Sequence, residues 1–130
     1  MENKDLESQF ELFCRNRQAL CDSDGKLYRK NIKYRKKFVE LGQNVASLTA
    51  AEAQNRIWHL RLPNSELGEQ CKQDIEKLMS SMSPQFVDII KKGTYQDLLS
   101  QIDAFVLAAE RTYKEYQDKG MEVAGEERNE

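Results

Sequence analysis

Apolar side chains recur every three or four positions through most of this chain, the period of an amphipathic α-helix. In a first segment, about 4–21, Leu6, Phe10, Phe13, Cys14, Leu20 and Cys21 share one face. The run Asp22-Ser23-Asp24-Gly25 stops it, because Asp bonds its own backbone and Gly accepts positive φ. A second helix is predicted over about 26–47, where Leu27, Tyr34, Phe38, Leu41 and Val45 fall in a narrow arc at ~100° per residue. Tyr28, Ile32 and Val39 lie to one side of that arc.

Thr49, with Glu52 three residues on, spells a capping box, so a third helix is expected to start near Ala50 and to end at Pro63. A fourth, about 65–82, carries Leu67, Cys71, Ile75, Leu78, Met79 and Met82 as its stripe. Ser83 before Pro84 reads as an N-cap with proline in the first turn, opening a short apolar helix to Lys92 that Gly93 closes. Thr94 with Asp97 caps the last and longest helix, about 95–119, and Gly120 ends it. No segment alternates with the period of a strand. The expected fold class is therefore all-α: a single helical bundle of five or six amphipathic helices over residues 1–119, followed by a short acidic, flexible tail, 120–130.

Composition agrees with that pattern. The chain has 130 residues, 39% hydrophobic and 32% charged, with only six Gly and two Pro, and is long enough to bury a core without staples. No apolar run approaches the roughly 20 residues that cross a bilayer, and the start "MENKDLESQF" lacks a signal-peptide pattern, so a cytoplasmic protein with no membrane partner is expected. Cys14, Cys21 and Cys71 are odd in number and scattered, which argues against a disulfide framework or a thiolate zinc site and favours packing roles.

The candidate chemistry is sparse. "DSDG" contains a fragment of a calcium loop, but an EF-hand frame would place Leu20 first and Asn31 twelfth, where a carboxylate is required. The one histidine, His59, has no second histidine to share a metal and no nucleophile elbow to serve. The glycines stand alone, so no phosphate-cradling loop is present, and no cofactor is expected. All-helical nucleotide pyrophosphatases hold magnesium between paired carboxylates; Glu66 and Glu69, with Glu115 and Asp118, have the three-residue spacing that puts both groups of a pair on one face. That makes a magnesium-dependent enzyme the remotest of the readings weighed.

What stands out is charge in the second segment. In a chain of formal net charge −2 and pI near 5.6, Arg29, Lys33, Lys36 and Lys37 gather opposite the apolar arc, with Lys30 near its edge and Arg35 falling among the apolar residues. A solvated helix exterior is the plain reading. The functional reading is a docking face: a non-enzymatic interaction or regulatory protein that binds an acidic partner, or a second copy in a homo-oligomer, through Arg29, Lys30, Lys33, Lys36 and Lys37. Arg15 and Arg17 are candidate helpers. Nucleic-acid binding by the same cations is the alternative, weakened because Tyr28, Tyr34 and Phe38 are expected on or beside the core side rather than free to stack on bases.

Overall fold

The computed structural model describes residues 2–122. Among them the chain is all-helical, with four α-helices: α1 (Glu2–Leu20), α2 (Arg35–Ile57), α3 (Glu66–Lys92) and α4 (Tyr95–Asp118). A 3-10 helix, Arg29–Tyr34, leads into α2. The acidic character expected of 120–130 falls mostly on residues 123–130, which lie outside the described residues.

Two predicted breaks are absent, which is why five or six helices become four. The first is at Thr49. A capping box needs its threonine outside the helix, but Thr49 Oγ1 donates to the Val45 carbonyl at 2.8 Å and is 1% exposed. Satisfied by the preceding turn, Thr49 rides inside α2, and Glu52 pairs with Arg56 at 3.0 Å instead of reaching back. The second is at Pro84, which lies inside α3. Its ring removes one helical hydrogen bond. Yet Phe86 and Ile90 continue the buried stripe begun by Cys71 and Ile75, and their packing holds the helix in one piece. Ser83 Oγ, predicted as a cap, donates to the Met79 carbonyl at 3.0 Å.

The predicted second helix is wrong in the other direction. Residues 21–34 are not α-helical but form a surface excursion before α2. Asp22 Oδ1 accepts from the backbone N–H of Asp24 and of Lys26 (2.9 and 3.0 Å), closing the turn that ends α1. Gly25, at φ 79°, lies where a Cβ would stand 2.6 Å from the Lys91 carbonyl oxygen. Only glycine lets this turn sit against the end of α3. An isolated antiparallel bridge joins Cys21 to Leu27, and Asn31 Nδ2 donates to the Leu20 carbonyl at 3.2 Å. These contacts tether the excursion to α1.

Helices α1 and α2 pack as one antiparallel pair, α3 and α4 as another, and α2 touches both members of the second pair. Phe13 of α1 stacks on Phe38 of α2 with ring centroids 4.8 Å apart, and a Cβ at Gly42 would stand 3.2 Å from the Phe13 ring. Phe10, Val45, Cys71, Leu98, Ile102 and Phe105 are all but sealed in the centre. The start of α4 matches its signal, with Thr94 and Asp97 forming the full reciprocal box. At the start of α3, Ser65 Oγ accepts from Gly68 N–H at 3.1 Å. Arg17, one of the basic residues of α1, is spent on structure: its guanidinium donates to the carbonyls of Ile90 (2.8 Å) and Gly93 (3.0 Å), filling acceptors that the end of α3 leaves open.

The cysteines are free, as packing residues would be: Cys21 and Cys71 are buried and Cys14 half-buried. Burial pushes all three thiols above their ordinary range, which disfavours the reactive thiolate. No helix among the described residues is long and apolar enough to cross a membrane.

Candidate docking surface

The five cations read from the sequence lie in two adjoining elements. Arg29, Lys30 and Lys33 belong to the 3-10 helix, which buries none of its residues, and Lys36 and Lys37 to the first turn of α2. All five are exposed, and Arg35, expected among the apolar residues, is exposed as a sixth. None of the six makes an ion pair with a carboxylate among the described residues.

The apolar residues interleaved with them are the correction. Tyr28, Ile32, Tyr34 and Val39, expected in or beside the core face, are between 42% and 53% exposed. For Tyr28, Ile32 and Tyr34 the cause is the excursion: Ile32 and Tyr34 lie in a 3-10 helix, which advances 120° per residue rather than 100°, Tyr28 precedes it, and the arc drawn over 26–47 never forms. Val39 lies in α2 itself, to one side of its inward face. Of the predicted arc, Phe38, Leu41 and Val45 face inward, because only they lie in the α-helical part. Lys30 Nζ lies 5.7 Å from the Tyr28 ring centroid and Lys33 Nζ 5.1 Å from that of Tyr34, so ammonium and ring are presented together. Arg15 is exposed one turn from the end of α1; Arg17 is taken up by α3 and does not belong to this face.

Beside the cations runs a furrow between α1 and α2. Its upper part, about 330 Å³, is lined by Asn16 and Leu20 from α1 and by Tyr34, Lys37, Phe38 and Leu41 from the other side. A lower part, about 460 Å³, continues past Asn44 to Asp5, Ser8 and Leu48. Periodicity alone did not find this furrow, because it depends on how two helices approach.

The other candidate residues do not assemble. His59 Nε2 lies 3.4 Å from Glu110 Oε2, with both groups about half exposed, an ordinary surface pair. Glu66 and Glu69 sit in the first turn of α3, where the helix dipole favours acid. Glu115 and Asp118 end α4, and no group of three or more metal-ligating side chains forms among the described residues. Trp58, at the C-terminal end of α2, is 76% exposed at the rim of a groove with Leu60, Leu62 and Ile75. No family model matches the chain, and neither a curated protein nor a solved structure is found similar to it.

Proposed function

We propose that this protein is a non-enzymatic docking protein that binds an acidic partner protein through Arg29, Lys30, Lys33, Lys36 and Lys37. One observation carries the reading: these cations, with Arg35, are exposed, lack carboxylate partners among the described residues, and alternate with exposed Tyr28, Ile32, Tyr34 and Val39. A merely solvated face has no use for four half-exposed apolar side chains. A protein interface does, since tyrosine and arginine anchors at a desolvated centre carry most of the binding energy. The lysines would steer the approach and fix the register. A second copy of the chain, acidic overall, is one source of such a surface. Three free thiols support a reducing compartment, the cytoplasm.

The test is a capture experiment from cell extract with wild type and with Lys33→Glu/Lys36→Glu/Lys37→Glu, followed by identification of what is retained. The expected result is an acidic protein held by wild type, released as salt rises, and absent from the charge-reversed variant. Equal capture by both removes the proposal. Sedimentation of the purified chain at low and high salt separates self-association from a foreign partner.

The exposure of Tyr28 and Tyr34 also favours a second reading, single-stranded nucleic acid with bases stacked on these rings and phosphates on the lysines. Ile32 and Val39 weigh against it, because aliphatic side chains add little to stacking or phosphate contact. A gel shift with random single and double strands at low salt decides: no shift by the folded protein ends this reading.

A further inference from the structure

Resting on the acidic-partner reading, we infer that the furrow between α1 and α2 receives an amphipathic helical segment of that partner, with an apolar stripe and carboxylates at the end that meets Lys33 and Lys37. On α1, Ser8, Leu12, Asn16 and Leu20 are spaced by four and therefore share one stripe. On α2 and the residue before it, Tyr34, Lys37, Leu41, Asn44 and Leu48 step by three and four along the facing stripe. Between the two stripes the furrow is made of two depressions that adjoin at Asn44, which lines both. From Asp5 to Leu20 it runs roughly 22 Å at 1.5 Å per residue, the length of four turns of a guest helix.

Its upper part has the apolar floor of a helix-binding groove, and the lower part adds Leu48 among polar side chains. Leu12, 41% exposed, lies on the α1 stripe between Ser8 of the lower part and Asn16 of the upper part. Leu20, Phe38 and Leu41, each half-buried, floor the upper part. The walls are neutral and polar, from Ser8, Asn16, Asn44 and Ser47, so an apolar stripe enters with polar edges beside it. Charge sets the direction. Lys37 is in the wall at the upper end with Lys33 against Tyr34 above it, while Asp5 closes the lower end. Glu40, also in the upper wall, keeps that end from being uniformly basic. A guest helix carrying acid at one end and none at the other matches this gradient in one orientation only.

The experiment is selection from a displayed library of random 16-residue segments on the full chain, with parallel selection on Leu12→Glu and on Lys33→Glu/Lys37→Glu. Leu12 is exposed enough for the first variant to be expected to keep its fold, and circular dichroism is the check. Enriched segments are expected to pair Leu, Ile or Phe at three-and-four spacing with Asp or Glu at one end. Fluorescence anisotropy should show at least tenfold weaker binding of the best segment to either variant. Acidic segments without apolar spacing, bound equally by Leu12→Glu, would overturn the furrow and leave the cationic docking face standing. Apolar segments indifferent to Lys33→Glu/Lys37→Glu would overturn the acidic-partner reading. Failure to enrich anything on wild type over Leu12→Glu overturns the furrow.

Discussion

Replacing Arg17 by methionine separates what the basic residues do for the fold from what they do for a partner. The substitution keeps an unbranched stem of similar length and deletes two guanidinium bonds, to the Ile90 carbonyl at 2.8 Å and the Gly93 carbonyl at 3.0 Å. A hydrogen bond from a charged donor is worth about 1.5–3 kcal/mol net. Both bonds are part-buried, so the lower end applies and the pair comes to about 3 kcal/mol. Helix α3 then ends with acceptors unfilled, and the junction of α1, α3 and α4 loosens. For a chain of this length 1 kcal/mol corresponds to roughly 4 °C, so the melting temperature should fall by about 12 °C. Arg17→Lys, which reaches one carbonyl at best, should fall by about half as much. Thermal unfolding followed by circular dichroism reads both, with Arg29→Met, an exposed cation of the docking face, as a control that should hardly move. At a temperature where it remains folded, Arg17→Met should bind the partner like wild type. A melting temperature within about 2 °C of wild type would refute the assignment of Arg17 to the fold, and weakened binding by the folded variant would return it to the docking face.

Four other outcomes are expected. Gly68→Ala should be strongly destabilising, by more than about 2 kcal/mol in urea titration, because its Cβ would stand 2.0 Å from the Pro63 carbonyl oxygen, a backbone atom with nowhere to go. Pro84→Ala should raise stability by about 1–3 kcal/mol, since alanine restores a helix donor that α3 lacks, and an unchanged urea midpoint would show that the proline is compensated. Tyr116 should be the last tyrosine to ionise in a spectrophotometric titration, its phenol pushed up to about 12 by its 2.5 Å hydrogen bond to Asp74 and by burial. A raised folded-state pKa means this contribution is intact below the unfolded value near 10 and disappears between there and about 12, and Asp74→Asn should bring the titration down. Lys33→Glu/Lys36→Glu/Lys37→Glu should change stability by less than about 0.5 kcal/mol, as exposed cations without carboxylate partners do; a large drop would show that they support the fold.

The all-α class followed from periodicity because every α-helix here buries a stripe, and an amphipathic stripe is a local property of consecutive residues. The cap on α4 was legible for the same reason, since Thr94 and Asp97 satisfy each other within four residues. The false breaks at Thr49 and Pro84 show where local reading ends. A threonine-to-glutamate spacing is compatible with a cap or with a helix interior, and burial of Thr49 between helices decides for the interior. A proline weakens a helix by a few kcal/mol at most, and the flanking apolar residues of α3 outweigh it only because α4 is there to receive them.

The basic segment divides in the same way. That Arg29, Lys30, Lys33, Lys36 and Lys37 are exposed was readable from residue type, since an unpaired ammonium or guanidinium is too costly to bury. That Tyr28, Ile32 and Tyr34 are exposed beside them was not, because it depends on the chain leaving α1 through a turn pinned at Gly25 against α3 and entering α2 by a 3-10 helix. The sequence by itself determined helices, their inner stripes and the sign of the charged face, all set by neighbours a few residues apart. Tertiary structure alone decided how many helices there are, which arginine is spent on the fold, and that two helices leave a furrow between them. Those outcomes rest on contacts between residues tens of positions apart, and local periodicity carries no record of them.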